Sequence, residues 1–308
     1  MSLRIVLLGP TAGGKSDIAL HLAESLRGEI VGADSRQIYR GLEIGTAAPT
    51  AADRLRVPHH MAAFLPSAET YSAGRYAREA REAIAAVEAR SVTPVIVGGS
   101  GLYLRALLDG LFAGPERDDA VRAELLARLA AEGLDALRSD LGRVDPEALA
   151  RISPGDSVRV IRALEVYQLT GSPISVLRRA RRNEPTPAMR YGIRWSRAAL
   201  AVRIADRIAQ QLRDGFLDEA RALLAAGPPP EAPGLHTLGY RELIGHLRGE
   251  ATLQEAVAGI ALRTRQLAKR QETWFRRVAE VRWFDLESPA QFPEVALAIE
   301  RHAAGDAP

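Results

Sequence analysis

Ile5-Val6-Leu7-Leu8-Gly9-Pro10-Thr11-Ala12-Gly13-Gly14-Lys15-Ser16 is the stretch that decides the fold. An apolar run leads into the spacing G-x-x-x-x-G-K-[ST], and Ile18, Leu22 and Leu26 follow at helical spacing, so the strand, loop and helix that a phosphate-binding P-loop needs are all present. Glycines let successive backbone N–H groups turn toward an anion, and the start of the new helix adds its positive dipole end. Gly9, Pro10, Thr11, Ala12, Gly13 and Gly14 form the candidate cradle, Lys15 supplies a compact positive charge, and the Ser16 hydroxyl is a candidate Mg²⁺ ligand. Lys15 is one of only two lysines in a chain that otherwise carries its positive charge on arginine. An ammonium stands here where a point charge differs in kind from a planar fork.

Outward from the P-loop, about the first 110 residues alternate strand and helix, which predicts a predominantly parallel sheet with crossover helices. Strand candidates are residues 5–8, 29–33 and 94–97, and a helix over 72–90 has Ser72 at its N-cap. From residue 118 the pattern changes to successive helices, 119–132 ending at Gly133, 145–152 with Pro146 at its first position, 156–170 ending at Gly171, and 172–182. A strand over 189–195 returns to the sheet, and helices resume at 197–213 and 217–226. The fold class expected is α/β, a P-loop NTPase-like parallel sheet core with an inserted all-helical domain and a helical C-terminal region. The division predicted is 1–115 for the first part of the core, 116–185 for the insertion, and 186–308 for the rest of the core with basic C-terminal helices.

The composition narrows the function. With 308 residues and 47% apolar content the chain can bury a sizeable core as one large or two modest domains. No apolar run approaches the ~20 residues needed to cross a bilayer and no signal peptide is visible, so a cytoplasmic enzyme without a membrane partner is expected. The absence of cysteine excludes disulfides, thiolate catalysis and cysteine zinc sites, and the six histidines show no metal-ligand spacing. Adjacent His59 and His60 read as loop contacts rather than a metal pair. A net charge of +3 is too small to imply a polyanionic partner by itself.

Asp34 directly follows the second strand, and ligands of open α/β sheets gather at the carboxyl ends of strands. It reads equally as a general base facing the P-loop and as a solvated cap. The third strand ends in Gly98-Gly99-Ser100-Gly101, where a P-loop ATPase or GTPase normally presents an aspartate to Mg²⁺, and no N-K-x-D guanine reader exists. A strong phosphate site without hydrolytic apparatus suits a diphosphate bound as a leaving group. Near the C-terminus Arg263, Arg265, Lys269, Arg270, Arg276 and Arg277 stand against Glu272 alone, with Trp274 and Phe275 interleaved. Such a run ordinarily means a solvated helix face. Yet Arg178, Arg179, Arg181 and Arg182 form a second block, and Arg159 and Arg162 share one helical side, a distribution that suits a folded polyanion gripped between two domains. Stacking of a base on Trp274 or Tyr240 competes with buried packing, the commoner fate of both residue types.

Seven segments, GPTAGGKS (9–16), DSRQIYRGLEIGTAAP (34–49), VPHH (57–60), VGGSGLYLRALLDGL (97–111), RALEVYQLTG (162–171), GYRELIGHLRGE (239–250) and TRQLAKRQETW (264–274), together resemble the tRNA dimethylallyltransferases, also called tRNA isopentenyltransferases, in order and over most of the chain. The resemblance implies transfer of a dimethylallyl group from dimethylallyl diphosphate to N6 of the adenosine 3′ of the anticodon, position 37, with the P-loop cradling the prenyl diphosphate and Mg²⁺ on Ser16. It implies Asp34 as general base and Arg207 as a residue that binds and stabilises the departing diphosphate. Contacts to the tRNA anticodon stem-loop are implied for Asp34, Ser35, Arg36, Gln37, Ser100 and Arg122, for Val158, Arg159, Val160, Ile161 and Arg162, for His236, Thr237, Leu238, Gly239, Tyr240 and Arg241, and for Lys269, Arg270, Gln271, Trp274 and Arg276. The family's D-P-Q-R is here Asp156-Ser157-Val158-Arg159, which removes the glutamine and keeps the arginine. No zinc-finger extension is present, as in the bacterial type, and a monomer is expected. Prenylation of free adenylate, a small-molecule kinase and a non-catalytic RNA-binding module are the competing readings.

Overall fold

Ile5, Val6, Leu7 and Leu8 are all completely buried, as a central strand covered on both faces must be. The structure, a computed structural model, describes residues 3–112, 114–179 and 186–305. Along the chain the order is β1 (Ile5–Leu8), α1 (Lys15–Ser25), β2 (Glu29–Gly32), the short turns α2 (Glu43–Thr46) and α3 (Ala51–Arg56), β3 (His59–His60), α4 (Ala73–Glu88), β4 (Pro94–Gly98) and α5 (Gly101–Leu108). There follow α6 (Asp119–Val144), α7 (Pro146–Arg151), α8 (Ser157–Thr170), α9 (Ile174–Arg179), β5 (Met189–Trp195), α10 (Arg197–Arg213), α11 (Phe216–Ala225), α12 (Tyr240–Leu247), α13 (Leu253–Phe275), β6 (Val281–Leu286) and α14 (Phe292–Ala304).

The six strands run in the order β3-β2-β4-β1-β5-β6 and every neighbouring pair is parallel. This is the α/β, P-loop NTPase-like sheet that the sequence predicts. Strand periodicity sorts β1 between two cores: Ile5 and Leu7 join the layer containing Ile18, Leu22, Ile204 and Tyr240, while Val6 and Leu8 join the layer containing Tyr76, Ile84, Leu107 and Phe275.

The chain forms two compact units, Met1–Leu108 with Pro187–Pro308, and Asp109–Thr186. Among the described residues of the second, the regular elements are the helices α6 to α9. Leu125, Leu137, Leu141, Val160, Leu164 and Val166 fill its core, and Asp118, Asp145 and Asp156 cap the starts of α6, α7 and α8 with side-chain oxygens on backbone N–H groups. Each such cap contributes about 1 kcal/mol. Gly133 breaks the helix with φ 80°, and the helix resumes to Val144. Gly171 closes α8 in the left-handed conformation.

Two strands differ from the sequence reading. β3 consists of His59 and His60, too short to show any alternation. β6 lies in the region assigned only to helices; as the edge strand it exposes Arg282 and Asp285, so charges interrupt its apolar pattern. Arg181 and Arg182 of the second basic block, with the end of the helix predicted over 172–182, fall outside the described residues.

Candidate active site

The P-loop wraps from β1 into α1 by way of Gly14, whose φ of 87° is a left-handed conformation that favours glycine. Three of its carbonyl oxygens are engaged by side-chain donors. Lys15 Nζ donates to Pro10 O at 2.8 Å, Gly13 N to the same oxygen at 3.2 Å, Arg203 Nε to Ala12 O at 2.8 Å, and Trp195 Nε1 to Gly13 O at 2.9 Å. With the Pro10, Ala12 and Gly13 carbonyls held by donors, and the first N–H groups of α1 lacking intrahelical partners, the loop presents donors to an anion. Trp195 and Arg203 were not identified from sequence, because a tryptophan closing a strand and an arginine on a helix carry no motif.

Lys15 and Arg207 put two cations at this loop. Burial pushes the Lys15 ammonium down to about 8, with Asp34 pulling it up and Arg207 pushing it further down. Burial also lowers the Arg207 guanidinium, against the attraction of Asp34 and Asp17. Arg207 spans two elements, donating from Nη1 to Thr11 Oγ1 at 3.4 Å and from Nη2 to Thr46 O at 3.2 Å. The turn carrying Thr46 is itself fixed on several sides. Gln37 Nε2 donates to Thr46 O at 3.2 Å and Ala47 O at 2.7 Å, Gln211 Nε2 donates to Ile44 O at 2.7 Å, and Glu219 accepts from the Ile44 and Gly45 N–H groups at 2.9 Å each. Tyr240 donates its hydroxyl proton to Glu219.

Asp34 accepts from Arg36 N through Oδ1 at 2.8 Å, and its Oδ2 takes no hydrogen bond among the described residues. One oxygen is therefore a local turn cap, and the other is left without such a bond. Ser100 ties the ends of β2 and β4 together, accepting from Ser35 N at 2.8 Å and donating to Ser35 Oγ at 3.1 Å. A Cβ on Gly98 would lie 2.0 Å from Ala33 O. No side chain fits there, which is a steric reason why β4 does not end in a metal-binding aspartate.

Thr11, Asp34, Arg36, Thr46 and Arg207 line the polar end of a cavity of about 90 Å³ whose apolar wall includes Ile204, Ile208, Phe216, Leu238, Ile260 and Leu267. Among the described residues no group of three or more His, Cys, Asp or Glu could hold a metal. Ser16 is exposed at the start of α1 and offers one hydroxyl, a donor set that suits Mg²⁺ only if phosphate oxygens and water supply the rest.

The residues carried over as tRNA contacts divide by exposure. In the first unit Arg36, His236, Arg241, Lys269, Arg270 and Arg276 are exposed, and Trp274 is partly buried against α5. Tyr240, Thr237 and Gln271 are buried, the first two bonded to Glu219 and Pro233 O, the last to the P-loop. In the second unit Val158 and Arg159 are exposed, whereas Val160 and Ile161 sit in the helical core. Arg122 and Arg162 flank the fully buried Glu165 at 3.6 and 2.9 Å, and Arg162 also donates to Pro115 O at 2.6 Å. Within these segments Val160, Ile161, Thr237, Tyr240 and Gln271 are turned inward while the charged residues beside them face outward, as successive helical positions in α8, α12 and α13 do. Glu165, fully buried, gave no sequence signal beyond lying in the 162–171 segment, and Glu219, partly buried, gave none.

The IPP transferase family model matches residues 37–278. The tRNA dimethylallyltransferase of Geobacter metallireducens is 44% identical over 297 residues, covering 96% of each chain, and tRNA dimethylallyltransferase 1 of Citrifermentans bemidjiense is 46% identical over 293 residues, covering 94% of each. The solved full-length tRNA isopentenylpyrophosphate transferase of Bacillus halodurans is similar with a TM-score of 0.72 at 34% identity, covering 99% of this chain and 98% of that one. A eukaryotic dimethylallyltransferase solved acting on tRNA gives a TM-score of 0.83 at 25% identity, covering 100% of this chain and 81% of its own. Likeness of this extent, over nearly the whole of all three bacterial relatives, means that the chain belongs to the IPP transferase family, the family of the tRNA dimethylallyltransferases.

Proposed function

We propose that this transferase moves a dimethylallyl group from dimethylallyl diphosphate to N6 of adenosine 37 in tRNA, with Asp34 as general base. The observation that carries the reading is the meeting of Thr11, Arg207 and Asp34 at one cavity with a largely apolar lining, with Lys15 close enough to feel the charges of both Asp34 and Arg207. The diphosphate lies against the P-loop amides, Lys15, Thr11 and Arg207, and the C5 hydrocarbon against the apolar wall. The adenine N6 lone pair forms a bond to C1 of the allyl group as the C1–O bond breaks, both electrons leaving with the diphosphate. The N6 proton passes to Asp34 Oδ2. Developing charge on the leaving group falls where fixed cations and amide dipoles already point, which is where such groups lower a barrier.

A bound Mg²⁺ would neutralise part of the diphosphate charge, held by Ser16. The target base must leave the anticodon-loop stack to reach the allyl carbon. Ser35 and Ser100 stand beside Asp34 to bond the flipped nucleotide, while Arg36, Arg241, Lys269, Arg270 and Arg276 on the first unit and Arg122, Arg159 and Arg162 on the second serve tRNA phosphates. Leu238 and Gly239 take part as cavity lining rather than as cations.

Asp34→Ala tests the assignment in single-turnover transfer from labelled dimethylallyl diphosphate. The rate should drop by roughly 10²-fold or more, the scale of general-base catalysis, with tRNA affinity within a few-fold of the parent. An unchanged rate removes Asp34 from the mechanism.

A further inference from the structure

Gln271 lies on the inner side of α13, buried, while its neighbours Lys269, Arg270 and Arg276 are exposed. Both ends of its carboxamide are used. Oε1 accepts from the Thr11 N–H of the P-loop at 2.8 Å, and Nε2 donates to Gly99 O at 2.9 Å. One side chain thus joins the phosphate loop after β1 to the exit of β4. The approach is close: a Cβ on Gly99 would stand 2.4 Å from Gln271 Nε2, so an added methyl group must push the carboxamide aside. Beyond Ser100, Gly101 admits Trp274 of the same helix in the same way, its Cβ falling 2.4 Å from the indole. Thr11 is held at two of its polar groups, its amide by Gln271 and its hydroxyl by Arg207.

We infer that Gln271 is a positioning residue of the diphosphate cradle, setting Thr11 and through it Arg207, and that it links the basic helix α13 to the phosphate loop without touching tRNA. The inference rests on the reading of the P-loop as a diphosphate site. Its chemistry is specific: a side chain at 271 must accept from one main-chain amide and donate to one main-chain carbonyl, which a carboxamide of this length does and an apolar isostere does not. Because Lys269 and Arg270 directly precede it on a rigid helix, displacement of α13 reaches the cradle through this contact.

The test uses the full chain with Gln271→Met and, from the opposite side of the contact, Gly99→Ala, whose methyl group displaces the carboxamide while leaving α13 unaltered. Inorganic diphosphate binding by calorimetry, tRNA binding by filter retention, melting temperature, and kcat and KM for dimethylallyl diphosphate are measured on each. Loss of the paired contact should weaken diphosphate binding and raise KM by about tenfold, the scale of one buried hydrogen-bonded link, with the tRNA dissociation constant within twofold. Weakened tRNA binding with diphosphate binding intact would overturn the inference in favour of a direct tRNA contact. Parallel loss of both affinities with a lowered melting temperature would overturn it as general destabilisation, and unchanged diphosphate binding in both variants would overturn it outright. Lys15→Met separates the two levels: if it leaves diphosphate binding intact the cradle reading itself fails, whereas if it abolishes binding and the two variants do not, only the inference fails.

Discussion

Lys15→Met should raise the stability of the folded chain while removing its hold on a diphosphate. Burial lowers the Lys15 ammonium from 10.5 to about 8. Below pH 8 the proton is present in both the folded and the unfolded chain, so folding carries the whole penalty of enclosing the charge, on the order of 3 kcal/mol for a drop of roughly two and a half pH units. Methionine has a similar reach and no charge. Against that relief stand the lost bond from Nζ to Pro10 O, about 1 kcal/mol, and the loss of one cation near Asp34. A net gain of about 1–2 kcal/mol remains at pH 7, or several degrees in Tm at ~2–4 °C per kcal/mol for a chain of this size. Between pH 8 and 10.5 the folded wild type releases the proton while the unfolded chain keeps it, so wild-type stability climbs and the advantage of the variant fades. Melting curves at pH 7 and pH 10, with and without inorganic diphosphate, read both effects. Diphosphate should raise the Tm of the wild type and not of the variant, since a ligand stabilises only what binds it. A variant less stable than wild type at pH 7, or one that diphosphate stabilises equally, would refute the reasoning.

The remaining predictions concern the two proposed substrates separately. Arg207→Lys keeps the charge but cannot span Thr11 Oγ1 and Thr46 O together, so kcat should fall by about 10²-fold, the scale of losing one fixed donor to developing charge; steady-state kinetics with wild-type kcat would contradict it. Arg270→Ala, on the exposed side of α13, should weaken tRNA binding and reduce the slope of log K against log salt by about one, with the KM for dimethylallyl diphosphate unchanged; an equal loss of prenyl-diphosphate affinity would contradict that division.

The central parallel sheet was legible because each of its signals is local. The run Ile5–Leu8 is apolar throughout since β1 is covered on both faces, and the P-loop announces its own turn into α1. Helix boundaries at Ser72, Asp145, Asp156 and Gly171 were likewise written in single capping residues. β6 was hidden because an edge strand alternates only partly and carries Arg282 and Asp285 outward. At the candidate site the sequence named Lys15, Asp34, Ser100 and Arg207, which the structure gathers at the carboxyl ends of β1, β2 and β4. What it could not name are the supports, Trp195, Arg203, Gln211 and Glu219, since each acts through a main-chain atom more than 150 residues away. Gln271 illustrates the same limit from the other side. Its segment reads as a basic nucleic-acid helix, and only the packing of α13 reveals that this one residue faces the phosphate loop.

Offering the enzyme tRNA together with either dimethylallyl diphosphate or ATP, and following which is consumed, tests most directly whether the P-loop serves a prenyl diphosphate. The account predicts release of one diphosphate for each N6-dimethylallyl adenosine formed, at a rate that ATP neither supports nor replaces. Consumption of ATP alone, with dimethylallyl diphosphate left intact, would contradict it.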